Sequence, residues 1–257
     1  MGSKNHGKES RACRYSGPAS HRHVACCCGT RKKLLKALAE CDKEYICIAK
    51  FKPAVDESTL RKTFGQFTGK IYQTPPPEAA VKRVLRTRVI HNLRVIETDG
   101  ELVLFRVRCQ HGTYIRVLCE DIGEVIGSKG GMVELRRTLA GPFTEKDAVF
   151  LQTLADKGEL LPIERGVEHL HKIVVGNSAV SALCHGADLA ASGLAAFDER
   201  IRKGEVVSLF TAGKELIGLG EAMMDAEEMS EASKGIVVKT TTVVMPRDTY
   251  PKKWKNK

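Results

Sequence analysis

The sequence predicts an α+β chain in which a mixed-sheet domain is followed by a small β-barrel. Three observations lead there. The run Leu102–Arg108 is strand-like, and Leu118, Ile122 and Val125 follow at helical spacing. Beyond His169, short apolar runs recur between Gly-rich breaks, the spacing of a small barrel. With 257 residues, the chain is long enough for a sizeable core and two domains.

Charge narrows the class of partner. A net charge of +10 and a pI near 9.2 suit a polyanion, for which nucleic acid is the default. Hydrophobic runs are short and interrupted by charge, which argues against a membrane span. The polar start does not read as a signal peptide, so a cytoplasmic location is expected. The nine cysteines contain no paired C-x-x-C pattern, so no zinc site is expected. Cys26, Cys27 and Cys28 are adjacent and the others lie among apolar residues, as buried thiols of a reducing compartment do.

Taken in order, residues 1–32 lack apolar periodicity and read as an aberrant or disordered basic segment. A His/Cys metal cluster there is disfavoured, because adjacent cysteines do not easily point at one ion. From Lys33 the chain becomes orderly. Residues 44–51 are β-rich, and Asp56 to Phe67 is a helix with Asp56 as N-cap and Gly69 at its end. The proline run after Thr74 enforces extended chain, and Lys82, Arg83, Arg86 and Arg88 form a basic run suited to phosphates. Val89–Ile96 and Leu102–Val107 alternate as strands around the turn at Asp99 and Gly100. Gly112 then supplies a permissive backbone before a helix over 117–126. Tyr114 and Arg116 alternate with Ile115, which on an extended segment places both on one side. Residues 127–131 read as a flexible loop without the phosphate-loop pattern, and 143–161 as a short helix and linker. In the second unit, strands are expected at 172–175, 205–210, 215–222 and 235–239, with a helix at 177–185.

The run Gly112-Thr-Tyr-Ile-Arg116 resembles the corresponding motif of the TruB/dyskerin family of RNA pseudouridine synthases. Lys43-Glu-Tyr45, Pro-Pro…Ala-Val-Lys82 and Leu-Arg-Arg137 match the same family in the same order, in its archaeal and eukaryotic style. The tail of the chain resembles a PUA domain, and the likeness covers roughly residues 33–254. It implies a synthase domain over 33–160, a PUA RNA-binding domain over 165–254, and isomerisation of uridine to pseudouridine without cofactor or metal. The implied catalytic residues are Tyr45 against the target base, Tyr114, and Arg116 holding a carboxylate. Implied RNA contacts are Lys82, Arg83, Arg86, Arg136, Arg137, His185, Gly186, Asp188, Lys234 and Gly235. The implied partners are a box H/ACA guide RNA with an rRNA or tRNA substrate, and small H/ACA proteins. Asp188 stands where the family usually has Asn, exchanging an amide donor for charge.

The family's catalytic Asp belongs to a Gly-Thr-Leu-Asp-Pro motif ahead of Lys33, and the sequence holds Gly17 and Pro18 there instead. Arg11 to Pro18 can be encoded as CGG GCA TGC CGG TAC TCT GGA CCC. Read one nucleotide later, the same bases give Gly-His-Ala-Gly-Thr-Leu-Asp and the start of a Pro codon. The expectation is an out-of-frame translation of the active-site region, with the normal frame resuming near Arg31 or Lys32 and the protein inactive as written. The alternative function is a non-catalytic RNA-binding remnant or scaffold.

Overall fold

The computed structural model describes residues 33–149 and 160–251, with the backbone of two paired two-residue strands, β1 (Arg11–Ala12) and β2 (Cys26–Cys27). The expectations for the remainder of 1–32, including its His and Cys residues, lie outside the described residues. Two compact units form. One contains Ala37–Gly158; the other contains Glu159–Lys257 together with Cys26–Lys36. Helix α1 (Leu35–Glu40) runs across that boundary.

The first unit is a six-stranded sheet in the order β4-β5-β6-β3-β7-β8. Its strands are β3 (Lys43–Lys52), β4 (Gly69–Gln73), β5 (Arg86–Asp99), β6 (Leu102–Cys109), β7 (Lys129–Ala140) and β8 (Phe143–Thr144). All its described pairings are antiparallel. Period-two alternation decides which face is covered. Cys47, Ala49 and Phe51 of β3 and Val103, Phe105 and Val107 of β6 are buried beneath α2 (Glu57–Gln66) and α3 (Ile115–Val125). The helices present Leu60 and Phe64, then Ile115, Leu118, Cys119 and Ile122, at three- and four-residue spacing. Phe64 meets Phe105 edge to face, with ring centroids 5.4 Å apart. Burying each such ring stabilises the fold by about 1.5–3 kcal/mol. Asp56 caps α2 as expected, its carboxylate accepting from the Thr59 amide at 2.9 Å.

The loop expected at 127–131 is shorter than the sequence suggests, since β7 begins at Lys129. Of its glycines, Gly130 serves close packing, as does Gly123 on the facing helix. A Cβ on Gly130 would lie 2.0 Å from the Cys119 carbonyl oxygen, and one on Gly123 would lie 2.3 Å from the Gly130 nitrogen. Helix α3 and strand β7 therefore touch backbone to backbone. Phe143 opens β8, followed by a 3-10 turn, Glu145–Asp147; the rest of the segment expected as a short helix and linker falls largely on residues 150–159, outside the described ones.

The second unit is a six-stranded sheet ordered β10-β14-β13-β12-β9-β11. Strands β9 (Lys172–Val175), β12 (Val206–Thr211), β13 (Leu216–Ala222) and β14 (Ile236–Val243) fall where short apolar runs predicted them. Strands β10 (Leu189–Ala190) and β11 (Leu194–Phe197) are additional. The pairing of β12 with β9 is parallel. Helix α4 (Asn177–Cys184) closes on the sheet through Val180 and Leu183. Helix α5 (Ala226–Glu231), absent from the sequence reading, starts with a reciprocal Asp225/Glu228 capping box. Among the described residues, no helix is long and apolar enough to cross a membrane.

Close approach at Gly130 makes a sharp prediction. Gly130→Ala should destabilise the first unit by about 3 kcal/mol in urea unfolding, because backbone must move. Gly131→Ala, whose Cβ would have nothing within 4 Å, should change stability little. Equal effects at the two positions would refute the packing argument.

Candidate active site

The turn from β6 into α3 is assembled from neighbours on both sides. Gly112 is left-handed, with φ +72°, and Thr113 closes the turn by donating its hydroxyl to the Gln110 carbonyl at 2.8 Å. The guanidinium of Arg88 lies against Gly112, so that a Cβ there would stand 3.1 Å from its Nη2. Gln73, 3% exposed at the end of β4, grips the next residue twice. Its Nε2 donates to the Tyr114 carbonyl at 3.2 Å, and its Oε1 accepts from the Tyr114 amide at 3.0 Å. This clamp was not foreseen as part of the site. The available signal was a glutamine opening the proline run on a strand that otherwise alternates.

The expected extended segment through Tyr114 and Arg116 is not formed. Tyr114 is extended, with φ −97° and ψ 103°, but it is the N-cap of α3 and Arg116 lies in the first helical turn. The two side chains therefore leave different kinds of backbone, since the apolar spacing of α3 extends back to Ile115. Tyr45 projects to the helix-bearing face, half-buried beside the core, on a strand paired with Val107 and Arg137.

Carboxylates near the turn have other partners. Arg116 Nη1 is 4.0 Å from Glu78 Oε2, a rim contact in which Glu78 is 73% exposed. Asp42 pairs with His91 Nε2 at 3.1 Å. Asp121 is on α3, where burial first, then Glu120 and Glu124, raise its pKa. The neighbouring thiols are poor nucleophiles at neutral pH. Burial pushes Cys109 up to about 12, and its neighbour Cys47 together with burial raises Cys119 well above the ordinary thiol value.

The basic residues divide by place. Lys82 and Arg83 are exposed on irregular chain, and Arg86 opens β5, donating Nη2 to the Lys82 carbonyl at 3.1 Å. Arg136 and Arg137 are consecutive on β7, and Arg136 is ion-paired with Glu145. In the second unit, His185 is the C-cap of α4, its Nδ1 2.8 Å from the Ser181 carbonyl. Gly186 turns the chain with φ +91°. Asp188 accepts the Thr240 amide at 2.8 Å, a role that an Asn oxygen also fills. Leu189 pairs with Val238, and Ala191 donates to the Gly235 carbonyl at 2.9 Å. The fold thus brings the His185–Asp188 turn and the Lys234–Gly235 turn to the same β10–β14 edge. Two residues that the sequence did not single out join them. Asp248 lies 3.9 Å from His185 Nε2, and the Tyr250 hydroxyl donates to Glu215 at 2.7 Å, tying down the terminal segment.

The strand–turn–helix that carries Tyr114 and Arg116 is followed by a second unit with its own six-stranded sheet, the arrangement of a two-domain chain. Residues 171–244 match the PUA domain. Residues 23–115 match the N-terminal domain of TruB family pseudouridylate synthases, and residues 116–175 match the C-terminal domain of tRNA pseudouridylate synthase B. The chain belongs to the TruB family of pseudouridylate synthases. It is 47% identical over 229 residues to "Probable tRNA pseudouridine synthase B" of Methanocaldococcus jannaschii, an alignment covering 84% of this chain and 68% of the relative. The relative of the same name from Methanothermobacter thermautotrophicus is 43% identical over 237 residues, covering 87% and 73%. Among solved structures, a Cbf5-Nop10-Gar1 complex contains a chain with TM-score 0.89 and 37% identity, covering 95% of this chain and 79% of that one. An H/ACA RNP bound to a substrate RNA containing 2'-deoxyuridine gives TM-score 0.84 and 35% identity, covering 96% and 80%.

The Gln73 clamp can be tested without any substrate. Gln73→Leu strands the part-buried Tyr114 amide, while the Tyr114 carbonyl keeps the Leu118 amide at 3.0 Å, which should cost about 1–3 kcal/mol. Loss of hydrogen-exchange protection should be largest at Tyr114. Unchanged protection at that amide would show that the turn is held by other means.

Proposed function

We propose that this chain is the catalytic-type subunit of a box H/ACA particle, in which a guide RNA presents a uridine of rRNA or tRNA for isomerisation. The similar structures are of Cbf5 with Nop10 and Gar1, and of an H/ACA RNP with substrate RNA, which supports small protein partners and a guide. In this reading Tyr45 lies against the flipped base, and the turn at Tyr114 and Arg116 borders it. Lys82, Arg83, Arg86, Arg136 and Arg137 contact phosphates. The edge formed by His185, Gly186, Asp188, Lys234 and Gly235 takes a single-stranded RNA tail within a domain spanning 165–254. The reaction breaks the N-glycosidic bond and rejoins carbon 5 of the base to the sugar, using no cofactor.

We further infer that the polypeptide as written binds RNA without converting it. The observation that carries this is the partner of Arg116: an exposed Glu78 at 4.0 Å, on irregular chain outside the family's Gly-Thr-Leu-Asp-Pro motif. A guanidinium in the first turn of α3 can hold a carboxylate but cannot supply one. The first thirty or so residues are the out-of-frame remnant of the segment that carries it.

Two measurements test the proposal. Pseudouridine formation in guide-matched RNA, with the protein partners present, should be absent for this sequence and robust for the frame-corrected one. Removing the group that performs the covalent step typically abolishes nearly all acceleration while binding persists. Robust product from the present sequence would overturn the inference of inactivity. Separately, RNA with an ACA-like single-stranded tail should bind better than unrelated RNA of equal length, and more weakly as salt rises. Equal binding would reduce recognition to charge attraction.

A further inference from the structure

We propose that the outer face of the first sheet carries a binding site for the phosphate backbone of duplex RNA, built from Arg94, Arg106 and Arg108. The face is the one opposite α2 and α3, so these residues alternate with the buried Leu93, Val95, Phe105 and Val107. Arg94 stands directly across the ladder from Arg106, and Asn92 across from Arg108. The three guanidiniums border a concavity of about 420 Å³ that Glu44 and Asn92 also line. All three arginines are exposed, and among the described residues none has a side-chain hydrogen bond or ion pair. Arginines elsewhere on the unit differ: Arg61 pairs with Glu57 and Arg136 with Glu145. The carboxylate in the concavity, Glu44, stands across the ladder from Arg108 and accepts the Thr138 hydroxyl at 2.8 Å.

Like charges directly opposite on a sheet destabilise it. Arg94 and Arg106 form such a pair, and with Glu44 opposite Arg108 the cluster keeps an excess of positive charge that an anion would offset. Spacing identifies which kind. Residues two apart on β6 are separated by about 6.6–6.8 Å, and adjacent strands by about 4.7–4.9 Å. That array matches a repeated line of charges better than one small anion. Its guanidiniums project from paired strands, and such fixed spacing suits the regular backbone of an A-form duplex, which proteins recognise by shape and phosphate. The chain's own first 32 residues are the wrong sign to cover it, with seven Lys and Arg against one Glu.

The inference rests on the reading of this protein as an RNA binder, but it concerns a different surface from the turn at Tyr114 or the β10–β14 edge. The test uses the full chain and two probes: a blunt RNA duplex, and a single strand ending in an ACA-like tail. Affinities are measured across a range of salt for the unaltered protein and for Arg94→Gln/Arg106→Gln/Arg108→Gln. The triple variant should bind duplex about 10- to 100-fold more weakly, with a log–log salt slope shallower by about 2–3, close to one per lost phosphate contact. Its binding of the tailed strand should persist, and its melting temperature should hold or rise as the cross-strand repulsion is relieved. Should the triple variant misfold, Arg94→Gln alone should flatten the slope by about 1. An unchanged slope with duplex binding intact would overturn this site while leaving the RNA reading standing. Failure of the unaltered protein to bind either probe would instead overturn the RNA reading itself. Tighter binding of an acidic polypeptide than of the duplex at equal ionic strength would also reject the site as proposed.

Discussion

The first unit depends on one steric constraint, the contact of α3 with β7. Without side chains at Gly123 and Gly130, the helix settles until main chain meets main chain. That depth places Leu118, Cys119 and Ile122 over β3 and β6, and all three are fully buried. It also fixes the height of the first helical turn, where Arg116 begins. From the opposite side, Gln73 ties the residue before that turn to the end of β4. A helix pinned from below and an N-cap pinned from beside leave little freedom between them. Pre-organisation of this kind reduces the ordering cost for any group displayed on the turn.

The second unit solves a separate problem. Its strands are short, and the hydrophobic cluster around Ile173, Val207, Leu209 and Val237 is closed by α4 and α5. The polar edge is held by the Thr240 amide donating to the Asp188 carboxylate and by the Ala191 amide donating to the Gly235 carbonyl. The Asp188 side chain is therefore part of the frame that shapes this edge.

The sequence was most legible where one periodicity dominated. Alternation in β6 and the three- and four-residue spacing of α2 located those elements, and the Asp56 cap was readable from its residue type. The start of α3 was misjudged, because Tyr114-Ile115-Arg116 also fits an alternating pattern and only the position of Leu118 and Cys119 behind Ile115 resolves it. Residues 129–131 read as a loop because glycine is a breaker in isolation; at Gly130 tertiary contact demands it. Helix α5 was missed despite a readable Asp225-x-x-Glu228 signal, its six residues being too few for periodicity to register. Glu78 could not be assigned to Arg116 at all, since it lies on chain without repeating structure and its proximity is a matter of tertiary path.

The clamp on Tyr114 has an evolutionary reading. Gln73 holds peptide groups, not the phenol, so its two bonds do not depend on the identity of the residue displayed there. Diversity is thereby permitted at position 114 and penalised at position 73, where only a side chain of this length with both a donor and an acceptor satisfies the two bonds. A library built on this scaffold could randomise the displayed residue and still recover folded members. Drift at the unobtrusive glutamine would erase them first.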